Sequence, residues 1–246
     1  MTDVLSLDGL SIAFGGLRAV DDVSFAVRER AVTTVIGPNG AGKTTLFNLI
    51  SGALKPQAGR VTLSGRDVTG LSSAAMHRAG LARSFQITNL FSEMTVRENL
   101  RLAAQVLEPV SHALRPLRRR GRAADKVEAL IDRFSLDAKV HEPAGALSHG
   151  EQRRLEIAMC LASEPQILML DEPTQGMSHA DTADTGQLIR DLAREVTILL
   201  IEHDIGLVME LSDHVVVMHQ GRKLAEGGPA AIRADPQVQA AYFGQG

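Results

Sequence analysis

The sequence predicts an α/β fold with a mostly parallel core sheet, an N-terminal antiparallel β subdomain and an inserted α-helical subdomain. Three observations predict it. Four short apolar runs, 32–36, 81–85, 167–170 and 196–201, are rich in Val, Ile and Leu and lack strict alternation, which fits strands buried on both faces. Helical segments lie between them, as parallel crossover connections require. Segments 4–12, 23–27 and 59–63 alternate instead, the pattern of antiparallel strands packed beside the core.

Each remaining element follows in order. Thr45–Ile50 reads as a helix behind a Gly-rich turn. Between 87 and 147 the strand runs disappear, Arg and Ala become frequent, and Val127, Leu130, Ile131 and Phe134 fall at helical spacing. Val215–Met218 reads as a final strand entering a turn, and the chain from Gly227 onward as a short helical tail. The expected division is one domain over 1–246, with a core of approximately 1–86 and 163–228, a helical insertion of approximately 87–162 and a tail of 229–246.

Composition bounds the function. The 246 residues hold 26 basic and 29 acidic side chains, a net charge of −3, which argues against a nucleic-acid partner. The hydrophobic fraction of 44% supports a packed core, and only 3% aromatics with no Trp makes that core aliphatic. Cys160 is the single cysteine, so no intramolecular disulfide forms and a reducing compartment fits best. The N-terminus lacks a secretory pattern, and no apolar run approaches the ~18–20 residues that span a bilayer. A soluble, cytosolic protein is expected.

In open parallel sheets ligands sit beyond the carboxyl ends of the strands. The four apolar runs lead into a Gly-rich stretch, Gln86, Asp171-Glu172 and Glu202-His203, so these polar groups are expected along one edge. Gly37-Pro-Asn-Gly-Ala-Gly-Lys-Thr44 matches G-x-x-x-x-G-K-[ST] between a strand and a helix, the mark of a P-loop NTPase. Glycines let consecutive N–H groups face one anion, and the helix N-terminus adds its positive dipole end. Gly37, Asn39, Gly40, Ala41, Gly42, Lys43, Thr44 and Thr45 are the expected nucleotide-binding residues. Lys43 serves the β- and γ-phosphates, and the Thr44 hydroxyl suits Mg²⁺.

Asp171, after four apolar residues, is placed to hold Mg²⁺. Glu172 points the other way from the strand end, which frees it to orient an attacking water. Taken alone, such a pair is more often a helix cap or turn; the phosphate loop changes that balance. His203 can donate to the γ-phosphate or position water. Gln86 can bridge metal and water through its amide, or simply bond within its loop.

Ser148, with Glu151 three residues later, forms a capping box ahead of Ile157–Ala162, which is apolar nearly all round and expected to be buried. Such a helix start is an anion site, although locally it needs to be no more than a well-capped helix. The basic cluster 115–122 reads as a solvated loop, with anionic headgroups or phosphates as the alternative partners.

The phosphate loop, Gln86, Leu147-Ser-His-Gly-Glu151, 167–172 and His203, in this order, resemble the ATP-binding cassette (ABC) ATPases. The resemblance implies an ATPase with ATP and Mg²⁺ as cofactors, in a head-to-tail dimer with a second ABC subunit, itself or a paralogue. Ser148, Gly150 and Glu151 would then act in trans on the partner's ATP. Asp171, with Thr44 and Gln86, becomes the metal site, Glu172 the catalytic base and His203 the switch histidine. Phe14 falls where an aromatic stacks on adenine, with Val20 nearby; without the family, Phe14 reads as core. His149 stands where the family usually has a second Gly, Glu151 where Gln is frequent, and Ser178 where the loop after Glu172 usually ends in Asp.

Phe14-Gly-Gly-Leu17, 85–91 with 94–100, Arg153–Ile157, Ile201–Ile205 and 241–244 look like ATPase subunits of branched-chain amino-acid importers. That implies membrane permease subunits as partners, a periplasmic or extracellular solute-binding protein indirectly, and a peripheral place on the cytoplasmic face of the inner membrane. Asn89 to Arg97, just after Gln86, is where a permease would be met. Cassettes for urea or lipopolysaccharide transport, a soluble ABC-type ATPase acting on nucleic acid, and a binding-only regulator are the alternatives. The last is disfavoured by the intact Asp171-Glu172 pair.

Overall fold

Two sheets organise the chain in the computed structural model, which describes residues 2–84, 90–108 and 121–243. The first is antiparallel, in the order β2 (Leu17–Arg28), β1 (Asp3–Phe14), β4 (Ala58–Leu63), β5 (Arg66–Asp67). In β1 the inward positions run Leu5, Leu7, then Leu10 and Ile12. The change of phase needs a bulge, and Gly9, at φ 60°, supplies it. The expected alternating strands are therefore present, with β1 and β2 longer than predicted.

The second sheet has the order β10 (Arg222–Gly227), β9 (His214–His219), β3 (Val32–Ile36), β8 (Thr197–Ile201), β7 (Ile167–Asp171), β6 (Leu81–Arg83). All its neighbours are parallel except the β9–β10 pair. Both faces are buried, as unbroken apolar strands require. Leu168 and Leu170 of β7, with Ile198 and Leu200 of β8, join the apolar cluster under the helices. Ile167, Met169, Leu199 and Ile201 point the other way, into the cluster shared with the antiparallel sheet.

The helices are α1 (Lys43–Ile50), α2 (Ser73–Arg78), α3 (Val96–Ala104), α4 (Arg122–Arg133), α5 (His149–Leu161), α6 (His179–Ala193), α7 (Ile205–Leu211), α8 (Pro229–Ala234) and α9 (Pro236–Phe243). In α4, Val127, Leu130 and Ile131 are buried as the spacing predicts, and Phe134 follows at the C-cap. Thr95 caps α3 reciprocally with Glu98. No helix among the described residues is long and apolar enough to cross a membrane.

Two expectations are corrected, and one helix is added to them. The strand at 215–218 is not the last, because β10 returns antiparallel beside it. Helix α2 interrupts a stretch with no helical signal of its own, being six residues long with Met76 its single buried one. Phe14 is 49% exposed and so is not core; it ends β1 opposite Leu17, at a hairpin tip. The β6 strand ends at Arg83, and Phe85 and Gln86 lie outside the described residues. So do positions 115–120 of the basic cluster.

Candidate active site

Strand register decides which groups meet. Val35 of β3 and Asp171 of β7 both pair with Ile201 of β8, so three neighbouring strands end at one level. The loop after Ile36, the Asp171-Glu172 pair and Glu202-His203 therefore share one edge of the sheet, as the sequence predicts.

The loop from Gly37 to Gly42 bends over the start of α1. Gly42 is the N-cap at φ 99°, a left-handed conformation that glycine adopts without strain. A Cβ there would overlap the Ala19 carbonyl oxygen, so backbone proximity demands glycine as well. Asn39 and Gly40 are exposed, Ala41 is buried against the core, and Thr44 and Thr45 are exposed and half-buried at the helix start. Lys43 is 8% exposed and donates to the carbonyl oxygens of Gly37 at 2.7 Å and Pro38 at 3.2 Å. Burial holds its pKa below the ordinary lysine value, against the opposing pull of the Glu172 and Asp171 charges.

The two carboxylates diverge. Asp171 is buried, and its Oδ2 accepts from the Arg83 guanidinium at 2.9 Å. Glu172 has φ 46°, unusual for a residue with a side chain, and its carboxylate is partly exposed. Its N–H donates to the Ile201 carbonyl at 3.0 Å, which holds that turn against β8. His203 Nδ1 lies 4.0 Å from Glu172 Oε1, and the imidazole is 57% exposed. Beneath it Glu202 is fully buried; it accepts from the Thr174 hydroxyl at 2.6 Å and from the His203 N–H at 3.0 Å.

The capping box at 148–151 is present in both directions. Ser148 N–H donates to Glu151 Oε2 at 2.8 Å, and Glu151 N–H donates to Ser148 Oγ at 3.4 Å. That backbone donor, with smaller contributions from the Ser148 hydroxyl and Lys139, holds the Glu151 carboxyl below its ordinary range. Ser148 and His149 are exposed and Gly150 is half-buried. Ser148, Gly150 and Glu151 thus form an open helix start at the head of α5. Ser178 is the N-cap of α6, and its hydroxyl donates to Asp181 Oδ2 at 2.6 Å while accepting from the Asp181 N–H at 3.2 Å. Val20 lies 1% exposed in the core of the antiparallel sheet, whereas Phe14 is exposed at the end of β1.

Several residues at this edge were given no role in the site by the sequence. Arg83, besides Asp171, donates to Asn48 Oδ1 at 2.7 Å and Ser51 Oγ at 2.9 Å on α1. Arg153, buried on α5, pairs with Glu156 and donates to the Asp171 carbonyl at 3.0 Å. Burying such charges costs several kcal/mol each unless they are paired, and here two guanidiniums meet two carboxylates. Tyr242 of α9 lies against the Gly37 backbone, and burial holds its phenol well above the ordinary tyrosine range. Arg153 and Tyr242 fall in segments that resemble the importer ATPases, but what each of them touches is visible only in the fold.

Parallel sheet, glycine-lined loop and helix-borne lysine define a P-loop nucleoside triphosphatase. The ABC transporter family model matches residues 20–175, and the model of the branched-chain amino acid ATP-binding cassette transporter matches 222–246. The chain is 45% identical to the high-affinity branched-chain amino acid transport ATP-binding protein LivG of Salmonella typhimurium, over 98% of each chain. It has the same identity and coverage with BraF, the protein of the same description in Pseudomonas aeruginosa. A solved structure of MJ1267, an ATP-binding cassette of an ABC transporter in its ADP conformation, superposes with a TM-score of 0.87 at 31% identity, over 100% of both chains. The chain belongs to the ABC transporter family, as an ATP-binding, ATP-hydrolysing cassette.

Proposed function

We propose that this ATPase powers import of branched-chain amino acids, by closing and reopening a head-to-tail pair of cassettes beneath a membrane permease. The observation that carries the hydrolytic half is the meeting of Lys43, Asp171, Glu172 and His203 at adjacent strand ends. The substrate class is supported by the 45% identity to LivG and BraF and by the family match at 222–246.

In this reading the Gly37–Thr45 loop and Lys43 hold the triphosphate, and Phe14, with Val20 behind it, faces adenine. Ser148, Gly150 and Glu151 of one copy seal the γ-phosphate held by the other. Glu172 takes the proton of the attacking water, and His203, reached by a small movement from 4.0 Å, stabilises the γ-phosphate side. Thr44 and Asp171 fit Mg²⁺, which needs only one or two protein oxygens besides phosphate and water; Gln86 is the third proposed ligand. The bound ion would neutralise charge on the phosphates.

The same reading divides the chain into a core of about 1–86 and 163–228, an insertion of about 87–162 and a tail of 229–246. It places the cassette peripherally at the cytoplasmic face of the inner membrane. Asn89 to Arg97 would meet the permease; Phe91 and Met94, 50% and 40% exposed, support an apolar partner there.

Glu172→Gln is the direct test. The variant is expected to bind ATP with wild-type affinity, to lose turnover and to accumulate as a dimer by light scattering. Near wild-type hydrolysis removes Glu172 from its role. Leucine uptake into vesicles carrying the permease, driven by the wild type and abolished in Glu172→Gln, tests the substrate class. Coupled hydrolysis with no response to any branched-chain amino acid overturns it.

A further inference from the structure

We infer that Arg153 is a positioning residue for hydrolysis: it ties helix α5, whose head is proposed to seal the partner's ATP, to the strand end that carries Asp171 and Glu172. The inference rests on the proposed role of that helix head.

The connection is continuous and buried. Arg153 stands five residues into α5 from Ser148 and is 8% exposed. One arm of its guanidinium meets Glu156 Oε2 at 2.5 Å, one turn along the same helix. The other donates to the backbone carbonyl of Asp171 at 3.0 Å and reaches Ser84 Oγ at 3.5 Å. Asp171 is gripped again from the opposite side, where Arg83 bonds its carboxylate at 2.9 Å and the α1 side chains Asn48 and Ser51 at 2.7 and 2.9 Å. Helix α1 begins at Lys43.

Asp171 is therefore held by its carbonyl from Arg153 of α5 and by its carboxylate from Arg83 of β6, which is itself bonded to Asn48 and Ser51 of α1. The head of α5 and the phosphate loop are joined through the residue that precedes Glu172. An aliphatic side chain would fill the Arg153 position without this link. A guanidinium supplies two directed arms from one rigid plane, which a single ammonium does not. When the head of α5 moves onto a nucleotide, the displacement reaches Asp171 and Glu172 through Arg153.

Two variants of the full chain test this. Arg153→Lys keeps the charge beside Glu156 and loses the second arm. Arg153→Met with Glu156→Gln removes both buried charges together, which keeps the interior neutral. Each is measured for ATP affinity by calorimetry, for turnover in the permease complex, and for ATP-dependent dimerisation in a Glu172→Gln background. Expected are an ATP affinity within about twofold of wild type, a dimer that forms at the same ATP concentration, and a kcat lower by about ten- to a hundredfold. A purely structural Arg153 lowers melting temperature and leaves kcat per folded molecule unchanged. That result, in either folded variant, overturns the inference. Failure of Glu172→Gln to dimerise while Arg153 is intact is a different outcome: it removes the reading of the α5 head, and the inference with it.

Discussion

The hydroxyl of Thr174 donates to Oε1 of Glu202 at 2.6 Å, and Glu202 is fully buried. Its other oxygen accepts the N–H of His203, so one carboxylate fastens the turn after Glu172 to the start of the His203 loop. Thr174→Val deletes a hydrogen bond to a buried charge and is expected to cost about 1.5–3 kcal/mol, lowering the melting temperature by several degrees. Thr174→Ser restores most of it. Equal melting of Thr174→Val and wild type in calorimetry would show that the bond is energetically idle.

Lys43 gives a pH dependence with a fixed sign. Burial lowers its pKa, while Glu172 and Asp171 raise it. ATP affinity should fall as pH rises and the ammonium loses its proton. Glu172→Gln removes one raising charge, so the midpoint of that fall moves to lower pH. Calorimetric titrations at a series of alkaline pH values read the shift between the two proteins. A shift in the opposite direction contradicts the electrostatic account.

Glu151 predicts the acid side. Its folded pKa is depressed by the bonds from Ser148. The stabilisation is full above the unfolded value of about 4.3 and is lost as pH falls through the folded pKa. The stability gap between wild type and Glu151→Gln should therefore be present at neutral pH and close in acid. Urea unfolding at a series of pH values measures it; a gap independent of pH contradicts the linkage.

Ser178 both accepts from the Asp181 N–H and donates to the Asp181 carboxylate. An aspartate, usual at this position in the resembling family, keeps the first bond but sets a carboxylate against Asp181. Ser178→Asp is expected to destabilise by about 1 kcal/mol, and Ser178→Thr by less than about 0.5. Thermal unfolding of the pair separates them, and a stabilised Ser178→Asp refutes this view of the cap.

The core strands were legible because burial on both faces leaves an unbroken apolar run, as in Ile167–Leu170 with neighbours in both clusters. The phosphate loop and the Asp171-Glu172 pair were legible from their position after such runs. β10 was not: Arg222–Gly227 is an edge strand of half-buried and exposed residues without an apolar stripe. Arg83 and Arg153 were hidden for a different reason. Their bonds to Asp171 span 88 and 18 residues, so their place at the site is a property of the sheet that local sequence does not show. The expected apolar run, Ile157–Ala162, is buried or half-buried, but it did not extend to Arg153 and Glu156, which enter the core as a pair.

The β9–β10 turn sets a timetable for the protein's synthesis. Gly221 donates to the Ala41 carbonyl and accepts from the Asp21 N–H, and β3 lies between β8 and β9. The phosphate loop is thus translated early, yet its flanking strands β8 and β9 leave the ribosome more than 150 residues later. At ~5–20 residues per second that delay is on the order of ten seconds. A nascent chain arrested before Gly221 should not retain nucleotide, so this cassette acquires its ligand only when nearly the whole polypeptide has been made.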